Sequence, residues 1–355
     1  MPARPARGSR PSGGIHRLLG PAVLVCYLLA LLVPEPGTRL REAALGLFGL
    51  RLDVSVVALF VILFAAAFQV PPERALAAVR RPKVVLAGLA AHLLTAFVLA
   101  PVTALVLSAA GLRGPAGGLS TAVALIAAAP VAAAATVWIG RDGDGTALLA
   151  VVLLSALVSP LTMPATLGLL GHVLPSVVRT QTLIDSAAGQ ARALLTGAVA
   201  LPCAVGLLAR RFLPSAATGR LLTRAPLVAV AAMLALTYVN ATAAVPVLHE
   251  QPWTVVVLCV AVGWGVCRLA FLAGSLTARA LRLPPAAGAS VTLACGMSNV
   301  SVSAVVVVQA LPGQPHALLV ALVYGLVQKV AARRAVVRSA PAAPRRAVSE
   351  GRAVP

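Results

Sequence analysis

Membrane-length apolar segments recur along most of the chain and restrict the fold more than any other feature. They lie between residues 17 and 333; 60% of the 355 residues are hydrophobic and 11% are charged. A soluble domain has about a quarter of its residues charged. The pattern therefore predicts an all-α polytopic membrane protein with ten spans. We place them at 17–33, 54–70, 83–110, 117–140, 145–175, 187–210, 220–245, 253–278, 284–310 and 313–333.

The basic residues indicate how the spans are oriented. Of the 29 Lys and Arg residues, 22 lie on one side, in tails, in loops or toward span ends, six lie on the other side, and Arg268 lies deep inside a span. Because loops rich in positive charge stay in the cytoplasm, we expect both termini there. The alanine-rich, arginine-over-lysine composition is typical of a GC-rich bacterial genome, which suggests the bacterial plasma membrane. The net charge of +20 reflects this topology and does not indicate nucleic-acid binding.

Two spans are interrupted at comparable places. The fourth contains Pro130 in "AAAPVAAAATVW", and the ninth contains Gly296 in "ACGMSNVS", 166 residues later. Proline removes a helical N–H and clashes with the preceding turn. Matching interruptions in two inverted halves point to a transporter binding site. In the alternative interpretation, Pro130 only kinks its helix and the small residues around Gly296 only pack between helices.

The ten spans divide naturally into two halves of five. An odd number of spans in each half gives the halves opposite orientations. We expect a first repeat at residues 17–175, a connector at 176–186 and a second repeat at 187–335. A basic cytoplasmic arm, residues 1–16, precedes them, and a disordered cytoplasmic tail, residues 336–355, follows.

Several stretches together resemble the bile acid:sodium symporter superfamily over residues 17–335. They read "RPKVVLAGLAAH", "APVAAAATVWIGRDGDGTALL", "SPLTMPATLGLL", "GMSNVSVSAVVV" and "ALVYGLVQKVAA". The resemblance implies ten transmembrane helices as two inverted five-helix repeats, with discontinuous helices 4 and 9 that cross. It also implies secondary active transport of small organic anions such as bile acids, pantoate or other carboxylates, usually with sodium.

The chain departs from that family where sodium ligands are expected. Ala294 stands where the resemblance implies an acid, Ser298 replaces a glutamine of the ninth helix, and His92 replaces one in the third. The resemblance also implies two hydroxyl ligands in the fifth helix, where this chain has Leu149 and Leu153, and it leaves Thr136 and Ser298 as the remnants of two sodium sites. All nine carboxylates lie in tails, in loops or at span ends. Sodium needs several oxygen ligands, by the logic of other hard cations, so we predict that sodium coupling is lost.

The remaining polar residues of the interrupted spans are the candidates for substrate binding. They are Thr136, Ser298, Asn299, Ser301 and His92. Histidine titrates near neutral pH, so His92 is a candidate for proton coupling; alternatively it is a neutral histidine bonded to a helix carbonyl. Arg268 in the eighth span has two interpretations, attraction of an anionic substrate or extension of its side chain to the membrane surface.

The sequence leaves alternatives to the transport of organic anions. Arsenite efflux by a carrier of the same superfamily is one alternative, although its fourth-helix cysteine is replaced by alanines here. A paralogue that binds an anion without transporting it is another. The five histidines are scattered and the five cysteines show no metal-ligand spacing, so we expect no enzyme activity, no metal and no resident cofactor. The expected partners are a small organic anion and the lipid bilayer, and no oligomeric state is indicated.

Overall fold

The computed structural model describes residues 12–47, 50–71, 73, 77, 80, 82–139, 143–173, 192–310 and 315–339, and it is predominantly helical. The predicted connector lies outside the described residues, as do most of the predicted arm and tail. The first helix begins at Ser12, inside the stretch predicted as an arm, and the last continues to Ser339, inside the stretch predicted as a tail.

The N-terminal region contains elements that the sequence did not predict. Helix α1 (Ser12–Leu32) is followed by a short helix α2 (Glu35–Glu42), which is bent from it by 94°. Pro34 explains the bend, because the residue before a proline is disfavoured in helical geometry. Strands β1 (Ala44–Leu47) and β2 (Leu50–Asp53) then pair antiparallel and lead into α3 (Val54–Phe68). This hairpin is an exception to the predicted all-α fold.

Helices also occupy every other predicted span. They are α4 (Pro82–Ala109), α5 (Arg113–Ala128), α6 (Ala135–Trp138), α7 (Gly145–Val173), α8 (Arg192–Phe212), α9 (Ser215–Thr242), α10 (Val245–Glu250), α11 (Trp253–Ala280), α12 (Pro285–Gly296), α13 (Val300–Ala310) and α14 (Pro315–Ser339). Among the described residues, five helices are individually long and apolar enough to cross a membrane, and the bent pair of α1 and α2 would make six. The five are α4, α7, α8, α9 and α11.

The helices pack as two groups. In the first group, α3 contacts both α8 and α9, and α9 also contacts α1. In the second group, α4 packs against α5 and α7, α11 packs against α12 and α14, and the two sets are joined by contacts of α4 with α11 and α12. The groups meet where α7 contacts α8 and where α13 contacts α3 and α9. The Tyr27 hydroxyl also joins them by donating to the Leu322 carbonyl at 3.1 Å.

Helix α8 contains a wide π turn at Thr196–Ala200, directly before Pro202. A proline ring clashes with the carbonyl four residues earlier, which here belongs to Ala198, and it offers no N–H to that carbonyl. The wide turn accommodates both effects, and α8 continues as a regular helix to Phe212.

Close packing within the first group depends on Gly206 of α8. A Cβ atom at this position would lie 2.7 Å from the Phe64 carbonyl oxygen and 3.0 Å from the Ala67 Cβ. Only glycine therefore lets α8 approach α3 this closely.

We expect Gly206→Ala to lower the melting temperature of the detergent-solubilised protein, because overpacking of this kind costs about 1–3 kcal/mol. The control is Gly168→Ala in α7, where an added Cβ meets nothing within 4 Å; it should be neutral or slightly stabilising, since alanine favours helix more than glycine does. Thermal unfolding followed by size-exclusion chromatography measures both. Equal melting temperatures for the two variants would contradict the packing described here.

Candidate functional site

The fourth predicted span is broken at Pro130, as the sequence predicts. Helix α5 ends at Ala128, the backbone at Ala129 is extended, and regular helix resumes only at Ala135. Pro130 cannot donate the N–H that would continue the helix. Because residues 129–132 are buried, their remaining backbone groups need partners elsewhere in the protein.

The ninth predicted span is broken at Gly296, again as predicted. Helix α12 ends there, Met297 has non-helical backbone angles, and α13 begins at Val300. A Cβ atom on Gly296 would overlap the ring of Phe271 in α11. The break is therefore fixed by a residue that packs without a side chain against an aromatic ring.

The two breaks cross and bond to each other through their backbones. The Ala132 N–H donates to the Met297 carbonyl at 2.7 Å, and the Asn299 N–H donates to the Pro130 carbonyl at 2.8 Å. Val131 and Ser298 thus face each other as an antiparallel bridge. Each break satisfies part of the backbone that the other leaves open, which removes a cost that would otherwise be large inside a membrane.

Two side chains from neighbouring helices support the crossing, and sequence reasoning missed both. The Ser155 hydroxyl of α7 accepts a hydrogen bond from the Val131 N–H at 3.1 Å. The Tyr324 hydroxyl of α14 donates to the Gly296 carbonyl at 3.0 Å, and the Ser298 hydroxyl lies beside its phenol oxygen. The sequence contained one signal for them. Each break leaves backbone groups that need a partner, and a later helix offers a hydroxyl, Ser155 after the first break and Tyr324 after the second.

The Asn299 side chain caps the second half-helix. Its Oδ1 accepts from the Val302 N–H at 3.3 Å, while its carbonyl accepts from the Ser303 N–H at 3.1 Å. Asparagine is a preferred residue at this position of a helix. Ser301 is half-buried in the first turn of the same helix. On the other half, the Thr136 hydroxyl donates to the Ala133 carbonyl at 2.8 Å.

His92 of α4 lies against the first break. Its side chain is 1% exposed, and its Nε2 is 2.8 Å from the Ala129 carbonyl oxygen. A carbonyl only accepts, so Nε2 carries the proton in this arrangement. Nδ1 is buried without a hydrogen bond among the described residues, although the Ala294 backbone is within electrostatic reach. Both sequence interpretations remain open, because one nitrogen is bonded to a helix carbonyl and the other is available.

The expected sodium positions do not fit sodium. Ala294 is fully buried with a methyl group as its side chain, and Leu153 packs against the hydrophobic core. Thr136 follows the first break and Ser298 lies in the second, and no predicted span contains a carboxylate. Arg268 is on an exposed face of α11, with its guanidinium 6.0 Å from the Trp264 ring centre. Trp264 is of its own helix, so this contact does not join Arg268 to the crossing, and both interpretations of Arg268 stay predictions.

Comparison with protein families agrees with this geometry. The sequence profile of the sodium bile acid symporter family matches residues 56–251, more than half of the chain. The chain belongs to the sodium bile acid symporter family. It is therefore a multi-pass membrane protein of a transporter family. The match includes the first break but ends before the second, so the departures around Ala294 lie outside it. A search among curated proteins found no match.

We expect Ser155→Ala to destabilise the protein by about 1–3 kcal/mol, because it leaves the buried Val131 N–H without an acceptor. Ser159→Ala is the matched control: Ser159 is buried in the same helix, but its hydroxyl bonds only the Ala156 carbonyl of that helix. Thermal unfolding in detergent measures the difference. If both variants melt together, the hydrogen bond to Val131 does not support the crossing.

Proposed function

We propose that the protein is a secondary active transporter that carries small carboxylate-type organic anions across the bacterial plasma membrane. The crossing of the two interrupted helices supports this most directly. Transporters build substrate sites from interrupted helices, whose ends and open backbone groups contact the substrate at membrane depth. Membership of the sodium bile acid symporter family gives independent support for transport.

We further propose ten spans in two inverted five-helix repeats, residues 17–175 and 187–335, with both termini in the cytoplasm. Equivalent helices make equivalent contacts, which supports this arrangement. In the first half α4 packs on α5 and α7, and in the second half α11 packs on α12 and α14. The repeats relate the first two spans, α1 and α3, to the sixth and seventh, α8 and α9. The contact of α3 with α8 is accordingly matched by the contact of α9 with α1.

The polar residues at the crossing form the proposed anion site. Ser298, Asn299 and Ser301 stand at the N-terminal end of α13, where the helix dipole favours negative charge. Thr136 approaches from the other repeat, directly after the first break. The Oδ1 atom of Asn299 is used in capping, which leaves its Nδ2 amide as a donor for a carboxylate.

We propose that sodium does not drive this transport. A sodium site needs several oxygens to replace the hydration shell of the ion. The family's acid position holds Ala294, and the fifth-helix positions hold Leu149 and Leu153. The two remaining hydroxyl groups, of Thr136 and Ser298, are too few for such a site, and no predicted span contains a carboxylate that could complete it.

A proton on His92 is the proposed substitute for sodium. Helices α5 and α12 both end beside this residue, and the C-terminal end of a helix carries partial negative charge. With a second proton at Nδ1, the imidazolium would face the Ala129 carbonyl from one half-helix and the Ala294 backbone from the other. The charged side chain would then join the two breaks, and loss of the proton would release one of them.

Uptake into proteoliposomes tests the proposed coupling. Cholate, pantoate and short linear carboxylates are offered with a sodium gradient, with a pH gradient, and with neither. We expect accumulation of at least one carboxylate with the pH gradient and no stimulation by sodium. Strict sodium dependence would contradict the loss of the sodium sites. Thermal stabilisation by a carboxylate without any uptake would favour an anion-binding protein that does not transport.

His92→Gln separates proton coupling from a structural role. Glutamine can still bond a carbonyl, but it does not titrate, so we expect uptake that no longer responds to the pH gradient. His172→Gln is the control, because His172 also bonds a helix carbonyl, that of Gly168, but is exposed. Its pH profile should match wild type. An unchanged pH profile in His92→Gln would end the proton-coupling hypothesis.

A further inference from the structure

The middle of the outward face of α11 carries one charged side chain, Arg268, among apolar ones, and Arg279 is exposed near the end of the helix. Arg268 is exposed, Trp264 is 56% exposed one turn before it, and Leu272 is 49% exposed one turn after it. Val257 and Ala261 continue the same exposed stripe at helical spacing. The opposite face of α11 is buried against α12 and α14.

Arg268 lies deep in the bilayer whichever way the helix is oriented. It is twelve residues from the end of α11 at Ala280 and fifteen from its start at Trp253. At a rise of about 1.5 Å per residue, these separations are about 18 Å and 22 Å. A charged side chain near the centre of a membrane is costly, and such residues are nearly always paired.

The chain itself does not supply a counter-charge at this depth. Its nine carboxylates lie in tails, in loops or at span ends, and the salt bridge found among the described residues joins the exposed side chains of Arg39 and Glu35. A second copy docked on this face would bring another Arg268 and no acid. A homodimer through this face is therefore disfavoured by repulsion between like charges.

The conformation of Arg268 points away from the nearer membrane surface. Side chains of a helix lean toward its N-terminus, and the Arg268 guanidinium lies over Trp264, one turn earlier. The nearer surface is at the C-terminal end of α11, at Ala280. The guanidinium is thus directed to the middle of the bilayer, where a carboxylate on another helix can reach it and a lipid headgroup cannot without local thinning.

The surface beside Arg268 allows another helix to approach closely. Ala261 is exposed, and a Cβ atom on Gly265 would meet nothing within 4 Å. Small residues four apart let membrane helices pack with short backbone separation, and polar groups across such an interface add to the association.

We propose that this face of α11, defined by Val257, Ala261, Trp264, Gly265, Arg268 and Leu272, docks a transmembrane helix of a partner protein that carries an Asp or Glu at mid-bilayer depth. The carboxylate pairs with Arg268, and the partner backbone packs over Ala261 and Gly265. This interaction is separate from the proposed transport site, so it can be tested whether or not transport is observed.

A model transmembrane peptide tests the docking directly. The probe has about 23 apolar residues, enough to span a bilayer, with a single central Glu; its matched control has Gln there. The full chain, fused to a fluorescent protein at its C-terminus, is placed with either labelled peptide in zwitterionic liposomes, and energy transfer is measured. We expect wild type to bind the Glu peptide about three- to tenfold more tightly than the Gln peptide.

Variants at two arginines distinguish docking from general attraction. Arg268→Gln should abolish the preference for Glu, and Arg268→Glu should prefer a peptide with a central Lys. Arg279→Gln, at the exposed end of the same helix, should keep the wild-type preference. Equal binding of the Glu and Gln peptides by wild type, or a preference that survives Arg268→Gln, overturns the proposal. Loss of the preference when phosphatidylglycerol is added also overturns it, in favour of a lipid headgroup as the occupant.

Discussion

Two backbone hydrogen bonds between interrupted helices hold the centre of this structure. Ala132 bonds Met297 and Asn299 bonds Pro130, so each break provides part of what the other lacks. Inside a membrane no water is available to do this. The positions of α5, α6, α12 and α13 depend on the crossing, and so does the placement of every candidate site residue. Ser155 and Tyr324 complete the arrangement from the helices that follow each break.

The same constraint limits what the site can bind. Backbone groups and helix ends at the crossing are available whatever side chains surround them, but a sodium ion also needs carboxylate, amide or hydroxyl oxygens. Where the family resemblance implies such ligands this chain has Ala294 and two leucines, while His92 contacts the carbonyl that ends the first half-helix. The predicted breaks and their crossing are present, and His92 lies beside them. A titratable side chain that belongs to the protein stands where the family resemblance implies a glutamine.

The sequence predicted the location of the helices and of both breaks, because apolar length, Pro130 and Gly296 act locally. It did not predict the bend at Pro34, the hairpin at residues 44–53 or the π turn before Pro202. Proline marks two of these places, but its consequence depends on what packs nearby. The roles of Ser155 and Tyr324 could not be predicted from local sequence, because their partners are backbone groups exposed only once the breaks cross. Arg268 was ambiguous for the same reason, since only packing decides which face of α11 is outward.

A disulfide across the crossing would test the central claim most directly. Val131 and Ser298 are a non-hydrogen-bonded antiparallel pair, whose Cα atoms are typically about 4.5 Å apart, within the range that a disulfide bridges. Val131→Cys and Ser298→Cys are combined in a chain whose five native cysteines are replaced by alanine and whose predicted connector, residues 176–186, contains an inserted protease site. After oxidation and cleavage, the two halves should migrate together without reductant and separately with it, while each single-cysteine chain should separate in both conditions. Halves of the double variant that separate without reductant, although both cysteines react with a maleimide after unfolding, would contradict the crossing.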